Sequence, residues 1–495
     1  MGKALELWFI RRWPSLLSAS LFLLAYPPFN CWPVMLFALV PMLHQIRTSD
    51  SKEAWKNGYL FGLFVFLGQM YWLYDLANHW IHRPFLALVP WVITAVLEGL
   101  FFGWVARLIR HCYLRNWLLL IPVAWAGVEV CRSYFPVVAL PWGLVATPLY
   151  RAPVLIQTAH FGTIYLVSAW VVLVNVFLTC LTDPSDPGVV GPSKGFRGAS
   201  VAAIALALSL VSWFVYNMHS PSDPFTMTIG QPGVDMAFGN RHTRSDDLAG
   251  NIDQITDVAV KDGSQLLILP EGIYQDSDYP PKPRFRIDRR LPLLFGGERG
   301  NGPTYQTAFS FDGRWQYADK TRLVIFGEFV PGRSSFPWIA TTFDLPSGDL
   351  SASTKGIQTV DVAGVRAGPM LCFEALFPEV SYVEARKGAR FIAVMCIDDW
   401  YMGTPAPEQL KAASIFRAVE TGLPLARSAS TGYTLALDGH GNILAELPLK
   451  KPGGLRVTLN LPKESPLFPL LPVFPVAALL FSFALPWLPG RKHHA

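Results

Sequence analysis

Residues Arg366–Glu379 read RAGPMLCFEALFPE, and the rest of the chain is read outward from them. A short apolar run, Val365 to Leu371, has the length of a buried strand and ends on Cys372, with Glu374 two places later. With a helix beginning from Phe373, the cysteine sits at a strand-to-helix corner. There, unpaired backbone N–H groups at the helix start favour a thiolate. A free cysteine is ordinarily a small buried hydrophobe, so the corner alone assigns no chemistry.

The totals set the frame for that corner. The chain has 495 residues, enough for two or three domains; 51% of it is hydrophobic and only 16% charged. That composition excludes an ordinary water-soluble protein. The net charge of +5 is modest, and its basic residues cluster between apolar segments, a pattern of membrane topology and not of a nucleic-acid surface. Of six cysteines, four lie in or beside apolar segments, leaving Cys372 and Cys396 in the polar part; no CxxC occurs.

Apolar segments near 14–29, 32–46, 58–76, 86–108, 116–131, 153–181, 199–217 and 467–489 predict about eight membrane spans. The first is read as a span and not a cleaved signal peptide, because no small-residue cleavage site follows it. Basic clusters at Arg11 and Arg12, at Arg47, Lys52 and Lys56, at Arg107, Arg110 and Arg115, and at Arg491 and Lys492 then share one side. The positive-inside rule makes that side cytoplasmic and puts the long polar region outside, with Arg132 and Arg151 as the contrary charges. Asp75 and Glu98, in or near spans, point to a polar cavity or partner. Trp142, in PVVALPWGL, is read either as an interfacial anchor or as part of a lipid path.

The domains expected are 1–217, a membrane part of about seven helices; 224–463, an α/β domain; and 467–489, a last membrane helix. Within the α/β part, strands are expected at 225–231, 265–269, 291–297, 304–311, 323–326, 390–396, 424–428, 432–438 and 456–460. Helices are expected at 248–262, 379–388 and 408–421. The Pro-, Asp- and Arg-rich stretch 274–290 reads as a mobile surface loop.

Three polar stations stand at the ends of apolar runs: Glu271 after LLILP, Lys320 before LVIFGEF, and Cys372 after GPML. Separate strands can deliver them to one sheet edge. A cysteine nucleophile needs a base, and a buried carboxylate of raised pKa serves; a fixed ammonium meets the charge that develops on a carbonyl oxygen. His242 and His440, the only histidines well inside the domain, fall in turn-like contexts, which argues against a Cys/His dyad.

The motifs LPEG, KTRLVIFGEFVP, LCFE, DWY and RAVETGLPLARSASTG, in this order, resemble the nitrilase superfamily. The flanking spans and ALPWG narrow the resemblance to the membrane-bound apolipoprotein N-acyltransferase family. The resemblance implies a nitrilase-like αββα sandwich beside an α-helical transmembrane bundle. It implies Cys372 as nucleophile, Glu271 as general base and acid, Lys320 as oxyanion donor, and Glu328 as a second carboxylate holding the lysine. Phe373, Glu374, Phe238 and Trp400 fall at positions that support the site or line the substrate. The implied reaction moves an acyl chain from a phospholipid, through a cysteine thioester, to the N-terminal amine of a diacylglyceryl-cysteine apolipoprotein.

The implied setting is the bacterial inner membrane, with the catalytic part in the periplasm and the chain acting as a monomer. No P-loop, dinucleotide fingerprint or metal-ligand cluster is present, so no cofactor is expected. The chain departs from the family pattern at Phe373, where Tyr is common, at Ile397, where Asn is common, and at Phe238, where a Trp-bearing stretch is common. These departures leave two other readings open, a relative with a different amine acceptor or amidase activity, and a silent lipoprotein-binding scaffold. Substitution of Cys372 separates the scaffold from the enzymes.

Overall fold

The structure is a computed structural model describing residues 2–136, 139–182, 193–218, 220–238, 241–300, 302–343, 345 and 348–488. The chain divides into two compact units, Met1–Asn217 with Pro472–Ala495, and Met218–Leu471.

The first unit is helical. Among the described residues three helices are long and apolar enough to cross a membrane: Pro84–Leu114, Ala159–Leu181 and Ala199–Tyr216. A fourth span results if Ser51–Gln69 and Trp72–Ile81, bent by 55°, count as one. That is fewer than the eight expected: Gly2–Ala25 is a 24-residue helix outside that set, and the remaining apolar segments are short or broken. Residues 32–46 form a 3-10 turn, Trp32–Leu36, followed by the nine-residue helix Val40–Thr48. The terminal segment supplies the twelve-residue helix Val473–Ala484. Outward faces of the long helices carry Phe85, Ile93, Leu100, Leu206, Leu210 and Phe214, all exposed. Apolar surface of that extent suits lipid and not water.

Helices Ser51–Gln69 and Pro84–Leu114 approach closely because Gly58 has no side chain. A Cβ there would lie 2.3 Å from the Phe102 carbonyl oxygen. Inside the bundle, Arg132 of Ile121–Ser133 is buried against Glu98 at 3.4 Å and donates to the carbonyls of Leu140, Trp142 and Gly143. Glu129 holds the same loop by accepting from Val145 N–H at 2.9 Å and Trp125 Nε1 at 3.0 Å. Arg132 is therefore a structural cation inside the unit and not a free loop charge. Trp142 is buried beside Trp72, with ring centroids 5.1 Å apart, so it is no exposed interfacial anchor. Glu98 has the partner its position called for, whereas Asp75 is exposed. At one end of the unit Arg12 pairs with Glu53 at 2.6 Å and Arg110 donates to the Arg47 carbonyl. Three of the basic clusters thus gather on one side.

The second unit contains strands β1 (Ser222–Gln231), β2 (Leu266–Ile268), β3 (Leu293–Arg299), β4 (Tyr305–Phe311), β5 (Trp315–Asp319) and β6 (Val360–Val362). They are followed by β7 (Val365–Leu371), β8 (Phe391–Cys396), β9 (Leu425–Ala429), β10 (Leu435–Leu437), β11 (Ile443–Glu446) and β12 (Gly453–Pro462). One sheet runs β12-β1-β2-β3-β4-β5, the other β11-β10-β9-β8-β7-β6. Period-2 alternation builds the layers. Met227, Ile229, Leu266, Ile268 and Ala308 of the first sheet share a core with Leu371, Ala393, Met395 and Ala426 of the second. The alternate residues Leu267, Phe295 and Phe309 pack on Ile252, Ile255 and Ala259 of helix Arg241–Lys261. Helices Pro378–Arg386 and Ala406–Thr421 pack on β7 and β9 of the second sheet, completing αββα.

Several sequence expectations change in detail. Strand β3 begins at Leu293, just past Pro292, whose missing N–H cannot enter the ladder. Residues 323–326 are not a strand: they curl through Phe326, at φ 64°, so that Glu328 N–H reaches the Val324 carbonyl. Strand β5 was not anticipated, although the Asp312-Gly313 pair before it is a hairpin signal. Strands β6 and β11 were also missed. The 274–290 stretch has no regular structure but is anchored, with Tyr274 and Phe285 buried in the core and Arg286 N–H donating to Asp253. His242 lies in helix Arg241–Lys261 and not in a turn.

One buried group has no part in the layers it sits between. Glu384, on Pro378–Arg386, is fully buried and neither carboxylate oxygen has a hydrogen-bond partner. Burial, reinforced by Glu374, holds its pKa well above the ordinary carboxylate value. Such a group stabilises fully below about pH 4.5 and loses that contribution, at up to about 1.4 kcal/mol per pH unit, as pH rises toward its folded pKa. Glu384→Met is therefore expected to raise the thermal midpoint at about pH 8, with the gain shrinking toward about pH 5. Thermal unfolding of both proteins across that range checks it, and a midpoint lowered at every pH contradicts it.

Candidate active site

Three strand ends supply the groups singled out from the sequence. Glu271 follows β2, and its backbone lies directly on Gly296 of β3, where a Cβ would meet the Glu271 Cα at 2.5 Å. Lys320 follows β5 and continues its ladder, its N–H donating to the Gln306 carbonyl at 2.8 Å. Cys372 follows β7 at φ 48°, a left-handed backbone that a residue other than glycine adopts only where its surroundings enforce it. The chain continues from β7 as a 3-10 turn, Cys372–Leu376, and helix Pro378–Arg386 starts only afterwards. The expected helix-start thiolate is thus corrected, since no full helix opens at the sulfur.

Lys320 is the hub. Its Nζ donates to Glu271 Oε1 at 3.1 Å and to Glu328 Oε1 at 2.6 Å, and its side chain is completely buried. The curl at 323–326 returns Glu328 to it: Val324 N–H donates to Glu328 Oε2 at 2.8 Å, fixing that carboxylate from its far side. Burial opposes the ammonium, but Glu271, Glu328 and Cys372 together outweigh it and hold the Lys320 pKa well above its usual value. Burial pushes Glu271 up to about 7; Lys320 opposes that and Glu328 adds to it. The neighbouring Cys396 thiol, then burial and the nearby Glu271, push the Cys372 thiol well up, with Lys320 in opposition. The resting group is therefore a thiol beside a carboxylate poised to accept its proton.

These values dictate a pH profile. A Glu271 that takes the Cys372 proton must be ionised, so the rate of any reaction begun by the Cys372 sulfur is expected to fall about tenfold per pH unit below about pH 7 and to level off above it. A profile flat from about pH 5.5 to pH 8 would contradict the assignment.

Glu374 ties the nucleophile corner to the lysine loop. It accepts from Leu371 N–H at 3.0 Å, and from Thr321 N–H and Oγ1, both at 2.7 Å. Phe373 packs edge-on to Phe377, 5.3 Å between centroids. Phe238 stands edge-on to Trp400 at 5.6 Å, so the two aromatic residues read separately from the sequence meet. Among the described residues no group of three or more potential metal ligands occurs.

Two sequence comparisons bear on this arrangement. Residues 18–177 match a family profile described as the apolipoprotein N-acyltransferase N-terminal domain, and 298–465 match the carbon-nitrogen hydrolase profile. An apolipoprotein N-acyltransferase of Geobacter metallireducens is 27% identical over 88% of this chain and 86% of its own length. The chain belongs to the apolipoprotein N-acyltransferase family. Another member, from Nitrosomonas europaea, is 26% identical over 88% of both chains. Among solved structures, a carbon-nitrogen hydrolase from Helicobacter pylori G27 aligns with 48% of this chain and 89% of its own, at 14% identity and a TM-score of 0.35.

In this N-acyltransferase family member the sequence reading overlooked the polar scaffold behind the aromatic pair. Asp398 and Arg427, both fully buried, pair through two hydrogen bonds of 2.8 and 2.9 Å. Asp399 accepts from Met236 N–H at 3.1 Å and from the hydroxyls of Ser430 and Thr431. These bonds fix the loop bearing Phe238 against the turn bearing Trp400. Adjacent acidic residues beside a strand end were the available signal, and only the fold supplies their partners.

Proposed function

We propose that this chain is an apolipoprotein N-acyltransferase that works by a thioester ping-pong route through Cys372, Glu271 and Lys320. The observation that carries the reading is the buried Glu271–Lys320–Glu328 cluster acting electrostatically on the Cys372 thiol. In the first half-reaction Glu271 takes the thiol proton while sulfur attacks the ester carbonyl of a phospholipid, and Lys320 stabilises the oxygen that gains charge. The ester C–O bond then breaks, Glu271 returns the proton to the departing lysophospholipid alcohol, and the acyl chain remains on sulfur. In the second half-reaction the α-amine of a diacylglyceryl-cysteine lipoprotein attacks the thioester. Its proton passes by way of Glu271 to the sulfur that leaves, and an amide results. A thioester retains the activation of the acyl group, so no further energy source is required.

The same reading makes residues 1–217 and 467–489 the membrane domain and 224–463 the catalytic domain. It takes the short helices, with the long ones, as about eight spans of the bacterial inner membrane. Both chain ends then face the cytoplasm and the catalytic domain faces the periplasm. The gathering of Arg12, Arg47 and Arg110 at one end supports this orientation, as does removal of Arg132 from the count of loop charges. Mass spectrometry of a lipoprotein amino terminus tests the function: cells with the chain are expected to yield an N-acylated terminus and cells without it a free amine. A free amine in both refutes the reading.

A further inference from the structure

Cys396 ends β8, fully buried, and the reaction above does not use it. Strands β7 and β8 run parallel with Leu371 beside Met395, so the next residue of each, Cys372 and Cys396, comes side by side. Leu371 and Met395 both point into the core between the sheets. Strand alternation therefore turns Cys396 away from that core, while Cys372, just past the end of β7, takes its direction from the turn that begins there. The Cys396 thiol is near enough to raise the pKa of Cys372, and neither cysteine is in a disulfide. Neighbouring strands lie about 4.8 Å apart. That spacing falls inside the Cα separation of roughly 4.4–6.8 Å that a disulfide spans. Cys372 is 6% exposed and Cys396 not at all, so an oxidant that enters the site meets Cys372 first.

We propose that Cys396 is a resolving cysteine: when a hydroperoxide oxidises Cys372, Cys396 captures it as an intramolecular disulfide that stops turnover and spares the nucleophile from irreversible oxidation. Glu271 takes the Cys372 proton as sulfur attacks one peroxide oxygen and the O–O bond breaks. The departing oxygen leaves as hydroxide, which that proton converts to water, and Cys372 becomes a sulfenic acid. The Cys396 sulfur then attacks the Cys372 sulfur, the S–O bond breaks, and a second water leaves carrying the Cys396 proton. Two thiols have lost two electrons, and the peroxide oxygens have become two waters. A dithiol reverses the change by exchange. An extracytoplasmic domain, away from the cytosolic thiol reductants, is where such a pair has a use.

The test uses the full chain in detergent, treated with hydrogen peroxide and then with dithiothreitol. Intact mass, peptide mapping and acyl transfer are followed at each stage. The expected intact mass is lower by two hydrogens, with a Cys372–Cys396 cross-linked peptide. Acyl transfer is expected to fall roughly tenfold or more and to return on reduction. In Cys396→Ser and Cys396→Ala, each compared with its own untreated rate, Cys372 is expected to gain two or three oxygens and reduction not to restore activity. The proposal is overturned if the natural protein gains oxygens without a cross-link, or if the two variants recover as it does. The activity arm rests on the reading of Cys372 as nucleophile, whereas the cross-link does not. A cross-link in a protein that never transfers acyl groups would refute that reading alone.

Discussion

Cys372→Ala is expected to abolish acyl transfer, by a factor on the order of 10^5 or more, while leaving the protein folded. The sulfur is the only heavy atom lost, and the neighbouring thiol, that of Cys396, is itself small. With the natural protein, incubation with phospholipid should add one acyl mass that hydroxylamine removes. In the variant no such adduct can form, because a methyl group has no lone pair to give. Cys372→Ser distinguishes chemistry from packing, since it keeps the shape but presents a hydroxyl that a carboxylate titrating near 7 ionises poorly. An acyl adduct that persists in Cys372→Ala would move the nucleophile elsewhere and undo the mechanism.

The second large effect is expected at Lys320. Lys320→Met should lower the rate of acyl-enzyme formation by roughly 10^2–10^3, the loss typical of one oxyanion donor. It also strips Glu271 and Glu328 of the cation between them. Two carboxylates that shared an ammonium at 3.1 and 2.6 Å then face each other without it, so at least one takes up a proton at neutral pH. The variant's remaining activity should accordingly move its pH dependence to the alkaline side, and the unfolding midpoint should fall. Breaking a buried pair by removal of one partner costs about 3–5 kcal/mol, less whatever protonation recovers. Rates measured from about pH 6 to pH 9 read both consequences. A lysine that served only as a surface charge would leave rate and profile unchanged.

These residues were legible because the fold puts reactive groups at the ends of its most recognisable strands. β2, β7 and β8 are short, largely apolar runs buried on both faces, and such runs announce themselves by composition. Their terminal residues, Glu271 and Cys372, stood out for that reason. Lys320 was singled out for a partly mistaken reason: it follows β5, whereas the apolar run after it, 323–326, forms no ladder and curls to bring Glu328 back to it. Hydrophobicity alone does not separate a strand from an apolar turn. The helical unit shows the converse. Arg132 looked like a loop charge because its three carbonyl partners and Glu98 are supplied by other segments. The same holds for Arg427 and Asp398, and for Cys396, whose closeness to Cys372 depends on strand order.

The last helix adds an assembly constraint. Val473–Ala484 seats against Ile121–Ser133, where Gly127 leaves room for the Ala478 carbonyl and Ser482 donates to the Ala124 carbonyl. The ribosome delivers that piece after all of Met218–Leu471 has been made. The early helices must therefore wait, with a groove unfilled, through the synthesis of the entire intervening unit. A nascent chain cut short before Pro472 would leave that groove unfilled, so packing of the helical unit depends on a segment made only after the whole of the other unit.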